Sequence, residues 1–524
     1  MIDAKIKSYL QNTKASIHWE KVGIEHHHGI NVPLFSLRSK NSCGIGEFTD
    51  LFSLINFCTS VGFNVIQLLP LNEMGKDFSP YNALSSCALD PIFLGLKHLP
   101  HLDQHSKLKD TLEIFEDLNA LKHIDYTKVK KEKNKWLQNY FDKVFPTYEH
   151  TLIYKTFLKQ NDWLVAYGLF RTLKEEYAPA LWIEWPENIK NLDEKRFLVL
   201  SKRYEKKIHY FSFLQFLCFL QMGDVKKYAD KNKLFIKGDI PILINRDSVD
   251  VWNNRNFFDL SHAAGCPPDD FSVGGQHWGF PIYKWEALEK KDYSWWRRRL
   301  NVASHCYHLY RIDHAVGFFR IWSILPDETP IEGKYLPKNP NMWEEQGRKL
   351  LKMMLEVSEM FPIAEDLGLI PKMTYKVIKE LGICGTKVMR WQKKWGEFIK
   401  LNKYEPISIT TLSTHDTTLT DEWWENNPKE AKSWAKFKHW KYEKQLSREQ
   451  KKQILFDSHH TSSLFHINLL QEYISLYPEL AYEDPEDERI NTPGTISERN
   501  WCYRYKFFLE DLIDHKGIKQ DIKD

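Results

Sequence analysis

The sequence predicts an α/β fold on a parallel sheet, better closed into a barrel than left open, although an open doubly wound sheet fits the same alternation. Three observations carry this. Short apolar, β-branched runs alternate with amphipathic helical stretches over most of the chain. Several of those runs end in carboxylates. The 524 residues provide enough alternating units for a barrel, a fold that can be large as a single domain.

In chain order, FTDLFSLINFCTSVG (48–62) has apolar residues at helical spacing, and GFNVIQLLPL (62–71), bounded by Gly62 and Pro70, is a buried strand. From about 100 to 205 the character changes. LDQHSKLKDTLEIFEDLN and YTKVKKEKNKWLQNYFDKVF are charged with apolar punctuation and predict solvated helices, the lysine run 128–135 being a wet helix face. Residues 207–231 form a more buried helix. FIKGDIPILI (235–244) is a strand in which Pro241 belongs near an end or a bulge. Further strands fall within 306–317, 359–368, 385–392 and 406–416, and helices within 292–308, 341–359 and 372–382. CPPDDFSVGGQHWGFPIY (266–283) lacks periodicity and reads as a long loop, a class that is often functional.

With 73 basic and 70 acidic residues the net charge is +3, which gives no support to a nucleic-acid or membrane-surface partner. No apolar run is long enough to span a bilayer, and no cationic-then-apolar leader opens the chain. The eight cysteines contain no CxxC pair and read as scattered reduced thiols. A cytoplasmic location is expected. The 19 tryptophans suit core packing or platforms for a flat, weakly polar ligand, and composition does not choose between them.

The strand ends carry the chemistry. LYRIDH ends on Asp313, FPIAEDLG on Glu365 and Asp366, and ISITTLSTHD on Asp416, while PILINRDSVD carries Asp247 and Asp250. One such acid often caps the next helix. In a parallel barrel, however, all C-terminal strand ends share one face, where distant acids meet. Two close carboxylates of opposed acidity cleave glycosidic bonds: one attacks the anomeric carbon, the other protonates the departing oxygen. Arg311 favours an ionised Asp313, and the apolar run before Glu365 favours its protonated form. Asp416 is a third acid available to hold sugar hydroxyls. His314, His415, Asp313 and Asp416 would alternatively make metal ligands. Neither histidine stands in an HExxH or His-x-His pattern, and the chain has no phosphate-cradling loop, so the two histidines fit sugar contacts better, and no metal or organic cofactor is expected. Tyr81, in KDFSPYNALSS, is equally a sugar platform or a core residue.

The ordered motifs CGIGEFTDL, LLPLNEMGKDFSPYNALSS, NDWLVAYGLF, GDIPILINRDSVDVW, PPDDFSVGGQHWGFPIYKWEAL, LYRIDHAVGFFRIWSI, PIAEDLG, GTKVMRW, STHDTT and RINTPGTISERNWCYR span nearly the whole chain. In this set the chain resembles the 4-alpha-glucanotransferases (amylomaltases or disproportionating enzymes) of glycoside hydrolase family 77. The resemblance implies a (β/α)8 TIM barrel with inserted, largely helical subdomains and no separate C-terminal β domain. Residues 1–524 would be one catalytic domain, with a mainly helical insertion at about 100–205 and an active-site loop region at about 253–290. It implies Asp313 as nucleophile, Glu365 as acid/base and Asp416 as transition-state stabiliser. Sugar contacts would come from Tyr81, Asp247, Gln276, Trp278, Arg311, His314, His415 and Asn491, with 267–279 as a loop over the bound glucan. The implied reaction is retaining transfer of glucosyl or 4-alpha-glucanosyl units from maltooligosaccharides or a glycogen-like glucan to the 4-hydroxyl of glucose or another glucan. An alpha-1,4-glucan hydrolase would use the same acids, and a catalytically inactive glucan-binding protein is the rival from another class. Two segments depart from many bacterial members: ALDP (88–91) in place of GNP, and EYISLYPELAYEDPEDE before RINTPG. Both concern the acceptor side.

Overall fold

In the computed structural model, which describes residues 2–268, 273–495 and 497–524, the main sheet has eight parallel strands. They are β1 (His27–Asn31), β2 (Val65–Gln67), β3 (Phe235–Ile240), β4 (Leu309–Ile312), β5 (Phe361–Ala364), β6 (Gly385–Val388), β7 (Ser408–Thr411) and β8 (Phe465–Leu469). Each pairs with its chain neighbours, and β8 returns to β1. Between β5 and β6 the ladder thins to one bridge, Ile363 to Cys384, where Ala364 N–H donates to the Cys384 carbonyl at 2.8 Å. This nearly closed ring is the barrel.

The predicted strands at 62–71, 235–244, 306–317, 359–368, 385–392 and 406–416 all contain a barrel strand, and β3 stops just before Pro241, which has no N–H to give a ladder. Helices follow most strands. Lys372–Leu381, between β5 and β6, buries Val377, Ile378 and Leu381 on one face and ends at Gly382 in the left-handed region (φ 79°), each large apolar side chain contributing about 1.5–3 kcal/mol. The alternation fails between β6 and β7. There the connection is short 3-10 turns and a hairpin, Lys393–Lys394 with Glu397–Phe398.

The N-terminal helix Ser16–Val22 covers the strand starts. Trp19 packs on Phe361 (ring centroids 4.6 Å) and Phe465 (6.0 Å), and its Nε1 donates to the Gly382 carbonyl at 2.8 Å. Between β2 and β3 lie helices including Tyr126–Tyr148, Leu152–Gln160, Trp163–Glu176, Glu194–Arg203 and the 27-residue Glu205–Lys231. The lysine run 128–135 is not wholly wet. Lys133 is buried, donating to Glu47 Oε1 at 2.6 Å and to the carbonyls of Ile92 and Leu94. Helical spacing turns that one lysine inward along with Val129 and Trp136.

The 266–283 stretch also differs from a bare loop. Ala263–Cys266 pairs antiparallel with Gln276–His277 and with Ile321–Ile324, which in turn pairs with Lys334–Leu336. Of the expected loop 267–279, residues 269–272 lie outside the described residues. Cys43, Cys58, Cys87, Cys218, Cys306, Cys384 and Cys502 are buried, unbridged thiols. Among the described residues, no helix is long and apolar enough to cross a membrane.

Candidate active site

The C-terminal ends of the strands open into a cleft of about 470 Å³. Side chains alternate along β4, so Arg311 and then Asp313 face the barrel mouth while Tyr310 and Ile312 face the other way. Glu365 follows β5 on the adjoining strand. Tyr81, Gln276, Trp278, Arg311, Asp313, His314, Glu365, His415, Asp416 and Asn491 all line this one cleft. Acids more than a hundred positions apart in the chain therefore meet.

Arg311 is the hub. Its NH1 lies 2.9 Å from Asp313 Oδ1 and 2.8 Å from Asp239 Oδ2, and its NH2 lies 3.8 Å from Glu365 Oε2. One guanidinium thus reaches three carboxyls. Glu365 also accepts the main-chain N–H of His314 (2.6 Å) and of Leu367 (3.2 Å). His314 takes a left-handed backbone (φ 47°), a conformation that is uncommon outside glycine and concentrates at functional sites. Burial pushes Glu365 up to about 7, the charge of Asp313 adding to the effect and Arg311 opposing it. Burial would likewise raise Asp416, but His415 (Nε2 3.1 Å from Oδ2) and the amide of Asn491 (Nδ2 to Oδ1, 2.7 Å) outweigh it and hold that carboxyl at about 2. His314 is held down to about 4, chiefly by burial, and is neutral near pH 7.

The cleft wall is aromatic. Tyr81 stacks on His415 (5.2 Å, 16°) and lies 5.7 Å from Trp501. Trp278 stands edge-on to His314 (5.0 Å, 85°), and its Nε1 donates to Gln276 Oε1 at 3.0 Å.

Asp247 departs from its expected place. It is not among the cleft-lining residues. One carboxyl oxygen takes the Lys174 ammonium at 2.6 Å and the other the Trp182 N–H at 3.0 Å, tying the β3 loop to the helical insertion. Asp250 and Asp366 are bonded structurally as well. Asp250 accepts from Ser86 and Trp295 Nε1, and Asp366 accepts from Thr386 N–H and Lys387. The acid that β3 does supply is Asp239. Buried, it accepts both Arg311 NH1 contacts and the Tyr81 hydroxyl (2.8 Å). Its signal in the sequence is inward alternation with Lys237, whose amine donates to Gln67 Oε1 at 2.6 Å below it. Trp322, Tyr335, Trp391 and Trp501 also line the cleft; all but Tyr335 lie within the ordered motifs, yet nothing local separates them from core aromatics. Among the described residues, no group of three His, Cys, Asp or Glu side chains is arranged to hold a metal.

A barrel mouth holding one carboxyl near neutrality and another against an arginine is the equipment of a glycosidic-bond enzyme. Comparison with known proteins agrees. The 4-alpha-glucanotransferase family of glycoside hydrolases, family 77, matches residues 32–510. The 4-alpha-glucanotransferase of Chlamydia pneumoniae is 43% identical over 516 residues, covering 98% of this chain and 97% of that protein. The corresponding protein of Chlamydia caviae is 42% identical over 522 residues, with 98% and 97% covered. The structure of the amylomaltase from Streptococcus agalactiae in complex with acarbose superposes with a TM-score of 0.80 at 24% identity, covering 95% of this chain and 98% of that one, which shows the shared fold. The chain belongs to the 4-alpha-glucanotransferases of glycoside hydrolase family 77, enzymes that transfer glucosyl units between alpha-1,4-glucans.

Proposed function

We propose that Asp313 is the nucleophile, Glu365 the acid/base and Asp416 the transition-state stabiliser of a retaining transfer. The observation that carries this is the opposed setting of two carboxyls around Arg311: Asp313 sits in direct ion-pair contact, whereas Glu365 lies beyond hydrogen-bond reach of the same guanidinium and is pushed up to about 7 by burial. Glu365 protonates the glycosidic oxygen while Asp313 attacks the anomeric carbon. The C–O bond to the leaving sugar breaks, an ester to Asp313 forms, and the first fragment departs with the proton. Glu365, now a base, takes the proton of an incoming 4-hydroxyl. That oxygen displaces Asp313, and two inversions restore the α configuration. Asp416, held ionised, meets the positive charge that develops on the ring. This double displacement uses only the chain's own carboxyls.

The substrates on this reading are maltooligosaccharides or a glycogen-like glucan, with glucose or another glucan as acceptor, handled in the cytoplasm. The helical insertion and the loop region 253–290 work with the barrel as one catalytic unit. Gln276, Trp278, His314, Tyr81, His415 and Asn491 contact sugar, and the loop over the cleft favours sugar over water. Incubation with maltotriose tests the reading. Transfer releases glucose and builds longer maltodextrins with little net gain in reducing ends, whereas a steady rise in reducing ends would assign a hydrolase. Binding without any product would assign an inactive glucan-binding protein.

A further inference from the structure

The helix missing between β6 and β7 is replaced by a tight hairpin whose tip is tryptophan. Trp395 (φ 56°) and Gly396 (φ 80°) occupy the two-residue turn between Lys393–Lys394 and Glu397–Phe398, the backbone that two-residue hairpins require. The base of the hairpin is anchored. Phe398 is buried edge-on to Trp434 (4.6 Å, 79°), Lys393 lies 4.8 Å over the Phe398 ring and is paired with Glu430, and Ile399 N–H donates to the Gln392 carbonyl at 2.9 Å. The indole of Trp395 is nevertheless 92% exposed, the highest value among the exposed large hydrophobic residues described. A bulky side chain in the left-handed region is unfavourable, so the hairpin carries a cost to hold this ring outward.

We propose that Trp395 is a binding platform for the part of a long alpha-1,4-glucan that extends outside the cleft; this deepens the transfer reading above and rests on it. The hairpin continues directly from the cleft wall. Trp391 lines the cleft, and the four residues from there to Trp395 span at most about 14 Å. The surroundings of the ring fit a sugar chain better than a protein. Lys394, Gly396 and Glu397 beside it are exposed, so the indole is an isolated ring among polar groups. A protein partner calls for a contiguous apolar patch. A glucose unit offers a C–H face to the indole and hydroxyls to Lys394 and Glu397.

The experiment compares wild type, Trp395→Ala and Trp395→Tyr in two assays: retardation in native gels containing glycogen, and KM for maltotriose. Trp395→Ala is expected to weaken glycogen affinity about three- to tenfold, the worth of one aromatic contact, with Trp395→Tyr recovering most of it and maltotriose kinetics unchanged in both. Equal retardation of wild type and Trp395→Ala overturns the platform. So does equal retardation together with loss of a concentration-dependent dimer in gel filtration, which assigns the indole to a second copy of the chain. Wild type that is retarded through Trp395 yet leaves maltotriose untouched upholds the platform and removes the transfer reading, so the two fail separately.

Discussion

The main-chain N–H of His314 donates to Oε2 of Glu365 across 2.6 Å, so the residue that follows Asp313 holds the other acid of the pair. The strand-end geometry of β4 therefore sets the position of the group on β5. With Arg311 in contact with Asp313 and 3.8 Å from Glu365, the two acids are oriented from one strand. Side chains from different loops would not hold that spacing as firmly.

Glu365→Gln keeps the shape and removes the proton. It is expected to lower turnover roughly 10²–10⁴-fold, the usual worth of a general acid, while maltooligosaccharide affinity persists. The sign of the pH dependence follows from the raised value. The free enzyme holds the proton below about 7 and loses it above. So kcat/KM for maltotriose is expected to fall as pH rises through about 7, and this alkaline limb to vanish in Glu365→Gln. A wild-type profile flat from pH 6 to 9 would contradict the assignment.

Asp239 and Tyr81 separate ring from hydroxyl. Asp239→Ala leaves Arg311 buried with its principal partner gone, and breaking one side of a buried pair costs about 3–5 kcal/mol. Tyr81→Phe removes only the hydrogen bond to Asp239, a loss of about 1.5–3 kcal/mol for a charged partner, and keeps the stack on His415. Urea titration of both variants reads this order; a Tyr81→Phe loss equal to that of Asp239→Ala would count against it.

How far the sequence alone reached follows the same physics. Asp313, Glu365 and Asp416 were legible because each ends an apolar run, where the change from buried to polar is abrupt. Asp239 was not, because it sits inside its strand and its neighbours Gly238 and Ile240 disguise it as part of a core run. Asp247, in the polar stretch after β3, looks more like a site residue, yet its oxygens are taken by Lys174 and Trp182. Two whole strands were also hidden. β1 reads HHGIN, a polar string without apolar alternation, and β8 reads FHINL, whose apolar–polar alternation is only five residues long and carries a histidine and an asparagine. They are tolerable in a barrel wall because tertiary partners satisfy them: Asn468 accepts from Leu412 N–H and donates to Ser458, and His27 bonds Asn64 and the Gly23 carbonyl. No local pattern reveals partners such as Asn64 for His27 or Leu412 for Asn468, dozens of positions away in the chain.

Trp278 stands edge-on to His314 in the cleft wall. On the proposed reading, Trp278→Ala opens that wall to water and takes away a surface for an acceptor ring. The ratio of transfer to hydrolysis is expected to fall about fivefold, equivalent to roughly 1 kcal/mol of relative barrier. Reducing ends released from maltotriose, set against total glucose, measure it. An unchanged ratio would move acceptor control elsewhere in the cleft.

The seam between β1 and β8 makes the fold acid-sensitive. His28 Nδ1 meets His459 Nδ1 at 2.9 Å, His459 Nε2 meets the Tyr473 hydroxyl at 2.6 Å, and His466 stacks on His28 (4.9 Å, 13°) while its Nε2 lies 3.3 Å from His26 Nδ1. Two nitrogens that share one hydrogen bond share one proton, and charging both rings sets cations side by side. Burial, then the neighbouring imidazoles, hold His28 at about 4, His466 at about 3 and His459 well below its ordinary value. A histidine depressed in the folded state is protonated first in the unfolded chain. Its stabilising contribution is therefore complete above pH 6.5 and is lost as pH falls toward 4, on the order of 3 kcal/mol for His28 alone. Urea midpoints are expected to drop steeply between pH 7 and 4.5, and His28→Gln, which cannot take up a proton, to lessen that slope while lowering the midpoint at pH 7. The same slope in His28→Gln as in wild type would place the acid sensitivity outside this seam.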